Sequence, residues 1–210
     1  MLYVNGDSHS YGIGIDPTET FAHSVANKFN LNLINQSKIG ASNQRIIRTT
    51  QEYLKINTPN LVLIGWTTWE REEWIHEEKY YDVNSSGHNG LPAELENRYK
   101  VWVTDQTSDT LDTKSQYWHK EIYNLHLDLQ KKNIPHLFFN CMYNFFKIVN
   151  YVDWKHNYVG PYENNYSYYW YLKNLGFVTD KWYHYKKDGH YAWAKLLIEH
   201  IENHDIIRKR

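Results

Sequence analysis

Three short apolar runs recur about thirty residues apart: Leu2-Tyr3-Val4, Leu31-Asn32-Leu33-Ile34-Asn35 and Leu61-Val62-Leu63-Ile64. Each is too short for a helix, rich in residues that favour extended chain, and bounded by turn-forming residues, so each reads as a buried strand. Between them the apolar spacing changes. Phe21, Val25 and Phe29 stand four apart after Pro17-Thr18, and Ile47, Thr50 and Leu54 share one face of a segment that opens near Asn43 and stops at Pro59. Strand, helix, strand, helix, strand with short links leaves a parallel sheet with right-handed crossovers as the available arrangement. Later segments continue it. Trp118, Ile122, Leu125 and Leu129 mark an amphipathic helix, Ile134 to Asn140 supplies a fourth strand, and Ala194, Leu197, Ile198 and Ile201 are the buried stripe of a last helix that follows His190. The predicted class is α/β, three-layer α/β/α, with a flavodoxin-like parallel sheet of about four or five strands.

The whole chain, 1–210, is predicted to be one domain, because 210 residues suffice for one sizeable core. Regular pattern dissolves over 69–116. Glu70 to Trp74 and Glu77 to Lys79 read as a short solvated helix and Asn84 to Gly90 as a loop, so the stretch is predicted to be an aromatic and polar insertion. A second elaboration spans Asp153 to Tyr171.

Charge and cysteine usage narrow the function classes. Lys and Arg total 23 against 24 for Asp and Glu, so no net field draws the chain to nucleic acid or an anionic membrane. The terminal Arg208-Lys209-Arg210 reads as a solvated tail. A lone Cys141 in an apolar run excludes an intrachain disulfide and suits a reducing compartment. No apolar stretch approaches the ~20 residues of a membrane span, and the first residues enter a strand without the basic and apolar regions of a signal peptide. A cytoplasmic location is predicted. The histidines scatter, His184 and His190 standing six apart, and no phosphate loop is present, so neither a metal nor another cofactor is expected.

Chemistry gathers at the two ends of the chain. Asn5-Gly6-Asp7-Ser8 breaks the first strand at its carboxyl end, where an open parallel sheet binds its ligands, and this makes Ser8 a candidate nucleophile. Asp188-Gly189-His190 sets an acid and an imidazole just before the last helix, completing the parts of a serine-nucleophile site with Asp188 orienting His190.

In that order and context the residues resemble the SGNH (GDSL-type) hydrolases. The resemblance rests on Gly6-Asp7-Ser8 after the first strand, Gly40 after the second, Gly65-Trp66-Thr67-Thr68 after the third in place of Gly-x-Asn-Asp, and Asp188-Gly189-His190 near the end. A similar third block occurs in uncharacterised phage-borne members. The resemblance implies the SGNH fold, an acyl-enzyme mechanism on Ser8, Asp188 and His190, and an oxyanion hole from Ser8, Gly40 and Thr67, the last replacing an asparagine. It implies an esterase or deacetylase acting on a small-molecule or glycan ester, such as acetylated carbohydrate, or an acyltransferase. Trp66 within the third block, Trp69 and Arg71 just after it and Tyr143 at the end of the fourth strand are candidate substrate-binding residues, although an ion pair within Glu70 to Glu73 competes for Arg71. The competing class is a non-catalytic glycan- or protein-binding module, or a phage structural component. Of the residues beside Ser8, His9 reads as a loop residue.

Overall fold

The computed structural model describes residues 1–88, 90–163 and 165–207, which leaves Arg208-Lys209-Arg210 outside the described residues. The first half runs β1 (Leu2–Asn5), α1 (Ser8–Tyr11), α2 (Phe21–Lys28), β2 (Leu33–Asn35), α3 (Asn43–Leu54) and β3 (Leu61–Trp66). An excursion then holds β4 (Glu72–His76), β5 (Lys79–Asn84), β6 (Gly87–His88) and α4 (Glu96–Thr104). The chain returns through α5 (Ser108–Lys131), β7 (His136–Asn140), α6 (Tyr168–Asn174) and α7 (Lys187–Asn203).

Four strands pair in the order β2-β1-β3-β7, every pair parallel. Leu2 faces Leu33 on one side and Leu61 on the other, and Val62 faces His136. Successive side chains of a strand point to opposite faces, and here that alternation divides the interior in two. Leu2, Val4, Leu61, Leu63, Leu137 and Phe139 meet α2 and α7 through Phe21, Val25, Trp193, Leu197 and Ile201. Tyr3, Val62, Ile64 and Phe138 meet α3 and α5 through Ile46, Leu54, Trp118, Ile122, Leu125 and Leu129. The result is the three-layer arrangement read from the strand and helix periods. Each fully buried Leu, Ile or Phe contributes about 1.5–3 kcal/mol by leaving water. No described helix is long and apolar enough to cross a membrane.

Between β3 and α5 the structure differs from the solvated helix and loop predicted there. β4, β5 and β6 form a small antiparallel sheet, with Trp74 opposite Tyr81 and Val83 opposite His88. Glu77 and Glu78 make the two-residue turn between β4 and β5, both with positive φ (46° and 61°). That conformation is usually supplied by Asn-Gly, so two glutamates gave no sign of a hairpin. Trp74 and Val83 turn inward with Leu91, Tyr99 and Trp102 to form a separate small core, while Ile75 faces solvent. The sheet is tied to the main body by charge. Arg48 donates to both oxygens of Glu73 at 2.9 and 2.7 Å, Lys38 meets Asp82 at 2.7 Å and Lys114 meets Glu72 at 2.9 Å.

Candidate active site

Close approach of β1 and β3 at their carboxyl ends shapes the turn that carries Ser8. A Cβ on Gly6 would lie 2.8 Å from the carbonyl oxygen of Gly65, and one on Gly65 would lie 2.7 Å from the Phe139 ring; both would lie 2.4 Å from Ser10 Oγ. Only glycine fits either place. Beyond Gly6, the Asp7 carboxylate caps α1 by accepting the backbone N–H of His9 at 3.0 Å. Ser8, the first residue of that helix, therefore stands at the sheet edge. The loop after β2 is tied to the same turn, since Lys38 N–H donates to the Gly6 carbonyl at 3.0 Å and the Asn35 amide donates to the Ser10 carbonyl at 3.1 Å.

His184, not His190, meets Ser8. Its Nε2 lies 3.0 Å from Ser8 Oγ, and the Asp180 carboxylate lies 3.6 Å from its Nδ1. A tight turn presents this histidine. Asp180 Oδ1 accepts the backbone N–H groups of Trp182 and His184 at 2.8 and 3.0 Å, the Asp180 N–H donates to the His184 carbonyl, and Tyr183 takes a positive φ of 68° to close the loop. These backbone hydrogen bonds, above all from His184, hold the Asp180 carboxyl below its usual range. A carboxylate facing Nδ1 favours the tautomer protonated there, which leaves Nε2 free to accept from Ser8. The 3.6 Å separation is longer than a hydrogen bond, and Nδ1 has no hydrogen-bond partner among the described residues.

The two residues predicted for these roles lie elsewhere. α7 begins at Lys187, so Asp188 and His190 belong to its first turn. Asp188 is exposed there. His190 turns into the core, where its ring stacks on Phe21 with centroids 5.5 Å apart, and its Nδ1 accepts the Phe21 backbone N–H at 3.2 Å. Burial, followed by the nearby His9 and His184, pushes its pKa down to about 3. Such a ring is a structural neutral imidazole. His9, read as a loop residue, is also buried. Its ring centroid lies 5.2 Å from that of His184, its Nδ1 has no partner among the described residues, and burial pushes its pKa down to about 4.

The backbone oxyanion donors that the resemblance implies are the N–H groups of Ser8 and Gly40. Ser8 N–H opens a helix and so lacks an intrahelical acceptor. Gly40 has a φ of 78° with open space around its Cβ position, two residues beyond the Lys38 contact to Gly6. Thr67 is a correction. Its hydroxyl donates to Asp7 Oδ2 at 2.8 Å, and a hydroxyl has one proton to give. Its backbone is fixed as well, because Asn43 Oδ1 accepts the Thr67 N–H at 3.0 Å and Asn43 Nδ2 donates to the Thr67 carbonyl at 3.3 Å.

Asp7 is fully buried, which raises a carboxyl pKa, but His9, Arg71 and the Thr67 hydroxyl more than offset this and hold it below its usual range. Arg71 reaches it through Nη1 at 3.5 Å. Trp66 and Trp69 do not line a crevice. Trp66 is the last residue of β3 and meets Phe138 edge-on, while Trp69 stacks on Phe145 with centroids 4.8 Å apart. Both belong to the α5-side core. Tyr143 is half exposed, close enough to Glu70, Arg71, Tyr169 and Tyr183 to feel their charges. Away from this edge His200 on α7 and His204 just past its end gather with His156, whose ring stacks on that of His204 with centroids 4.1 Å apart. Among the described residues no three His, Cys, Asp or Glu side chains are disposed to hold a metal ion.

No family model and no curated protein matches the chain. Solved structures do. The chain is similar to TesA at 12% identity, covering 96% of each chain with a TM-score of 0.50. It is also similar to a carbohydrate esterase whose active site displays divergent catalytic and non-catalytic binding functions, at 14% identity and a TM-score of 0.50, covering 96% of this chain and 64% of that one. Strand order, the Gly6-Asp7-Ser8 turn at the end of β1 and these likenesses together identify the fold as that of the SGNH (GDSL-type) hydrolases.

Proposed function

We propose that the chain is a serine-nucleophile ester hydrolase in which Ser8 attacks, His184 is the general base and Asp180 orients it. The observation that carries this reading is the 3.0 Å approach of His184 Nε2 to Ser8 Oγ, with the Asp180 carboxylate behind the ring. In the first step Ser8 Oγ bonds to the ester carbonyl carbon and its proton passes to His184 Nε2. The carbonyl oxygen becomes an oxyanion, met by the N–H groups of Ser8 and Gly40. Collapse expels the alcohol, which takes the proton from His184, and leaves an acyl-Ser8. Water then gives a proton to His184 as its oxygen bonds to the acyl carbon, and the bond to Ser8 Oγ breaks as that proton passes back from His184 to Oγ, releasing the carboxylic acid; a sugar hydroxyl in place of water makes the same step an acyl transfer.

The substrate favoured is a short acyl ester, acetyl first, on a carbohydrate. Exposed rings with polar tips, Tyr143, Trp182 and Tyr183, stand at the site or in the turn that carries His184, and such rings suit the half-wet face of a sugar. The likeness to a carbohydrate esterase agrees with this choice. One observation favours a second reading, a binding module without turnover: the Thr67 hydroxyl is spent on Asp7.

Intact-mass detection of a fluorophosphonate adduct decides between them, run on the wild type, Ser8→Ala and His184→Ala alongside turnover of aryl acetates and acetylated sugars. An adduct on the wild type alone, with acetate release, supports the hydrolase. No adduct at any pH across a scan of neutral and alkaline buffers overturns it in favour of binding.

A further inference from the structure

Arg71, with its side chain 19% exposed, is the cation of this site whose hydrogen-bonding capacity is least used by the protein. It enters from the turn between β3 and β4, which is held by the Thr68 hydroxyl donating to Glu70 Oε1 at 2.8 Å and by Lys114 Nζ donating to the Glu70 carbonyl at 3.2 Å. The ion pair predicted within Glu70 to Glu73 does not form, because each of those carboxylates is engaged elsewhere. Glu70 takes Thr68, Glu72 takes Lys114 and the indole N–H groups of Trp74 and Trp102, and Glu73 takes Arg48. Asp7 is what remains. It is met by a single long contact of 3.5 Å, and Arg71 Nε is buried with no partner among the described residues. Of the five N–H donors of a guanidinium, one has a protein partner among the described residues, the Asp7 carboxylate.

The position is informative. Thr67 Oγ1 and Arg71 Nη1 converge on the same oxygen, Asp7 Oδ2, in the residue directly before Ser8. The guanidinium therefore shares with the third-block side chain a contact to the residue directly before Ser8, while that side chain has no proton left to give. We infer that Arg71 is a further catalytic residue, donating a charged hydrogen bond to the oxyanion that forms on the substrate when Ser8 attacks. Asp7 aims the guanidinium, and Thr67 shares the load on Asp7 so that Arg71 is not drawn into a bidentate pair. A donor that is itself charged interacts more strongly with an anion than a neutral amide does. Arg71 thus restores what the threonine removes.

This inference rests on the ester-hydrolase reading, and its test separates the two. Steady-state kinetics on an aryl acetate are measured for the wild type, Arg71→Lys, Arg71→Gln and Arg71→Ala, with circular dichroism and thermal unfolding to establish that each variant is folded. Removal of one oxyanion donor lowers kcat by about 100- to 1000-fold, so Arg71→Gln and Arg71→Ala fall by that much with KM within about threefold of wild type, as a transition-state interaction requires. Arg71→Lys keeps the charge and retains more of kcat than Arg71→Gln. Millimolar guanidinium restores kcat of Arg71→Ala by about tenfold or more without affecting the wild type, a readout that a residue acting only on Asp7 or on folding does not give. A folded Arg71→Gln with kcat within about threefold of an active wild type, or a loss confined to KM, overturns the inference alone. A wild type with neither turnover nor adduct overturns the hydrolase reading and this inference with it.

Discussion

His126 Nδ1 lies 2.8 Å from His136 Nε2 at the amino end of β7, with both rings shut away from water. His136 Nδ1 is 2.8 Å from the Ile134 carbonyl oxygen, which can only accept, so the proton sits on that nitrogen and His136 Nε2 accepts from His126. His126 Nε2 is then a buried lone pair without a partner among the described residues. Two neutral rings fit this chain. Burial pushes both pKa values down to about 4.

Stability is therefore expected to fall on acidification. Free histidines titrate near ~6.5, whereas His9, His126 and His136 stay neutral down to about 4 and His190 to about 3. Between those values the unfolded chain binds protons that the native state refuses, and each such histidine lowers stability by about 1.4 kcal/mol per pH unit. Above ~7 both states are neutral and the term vanishes. The urea midpoint should be level above pH ~7 and fall steeply from ~6.5 toward ~4. A midpoint unchanged down to pH ~5 would contradict the buried neutral assignment.

Two alanine substitutions separate base from scaffold. His184→Ala is expected to abolish acetate release by at least about 1000-fold while unfolding near the wild-type temperature, because the ring serves Ser8 rather than the core. His190→Ala opens a cavity against Phe21 and Tyr168 and orphans the Phe21 N–H; it should cost about 2–4 kcal/mol of stability and leave kcat within about tenfold. The reverse ranking of activities would return the base to His190.

Asp180→Asn tests the orienting carboxylate. An amide facing Nδ1 can donate to it and so favours the wrong tautomer, for which losses in kcat reach about 10000-fold. Asp180 Oδ1 also holds the Trp182 and His184 N–H groups, and an amide oxygen can still accept both. The loss should therefore appear in kcat with little change in unfolding temperature. Equal loss of both would mean that the turn, rather than the tautomer, had failed.

Asn43→Ala removes both partners of the buried Thr67 amide at once. Leaving a buried donor and acceptor unpaired costs about 1–3 kcal/mol each, so unfolding free energy should drop by about 2–5 kcal/mol. Denaturant titration reads this directly, and a loss below about 0.5 kcal/mol would show that water replaces the amide.

The sheet was readable because β1, β3 and β7 are continuous apolar runs and their crossover helices keep one buried stripe. The start of α5 escaped notice: Ser108 to Lys114, seven of its 24 residues, has Leu111 as its one apolar residue and so carries no stripe, although it belongs to the helix that Trp118 to Leu129 reveals. The site was half readable for a related reason. Lys186 caps α7 with no side-chain bond, so nothing in the sequence marks a helix start there. Gly189, read as lying ahead of the helix, is inside it, and glycine is needed there because a Cβ would come within 2.8 Å of Tyr185 Cβ. Moving the start from His190 to Lys187 carries Asp188 out to solvent and His190 into the core, and it leaves Asp180 and His184, two residues of an unpatterned turn, to face Ser8.

Gly6 and Gly65 bound what can be changed around the nucleophile. With Ser10 wedged between them, the floor of the site is written in an alphabet of one letter at two positions, since a Cβ at Gly6 runs into the Gly65 backbone and one at Gly65 into the Phe139 ring. Variation in what this protein accepts must therefore be composed at the rim, in the turn carrying Trp182 and Tyr183 and in the strand exit carrying Tyr143. Libraries aimed at new specificity belong in those segments, with the Gly6 and Gly65 codons held constant.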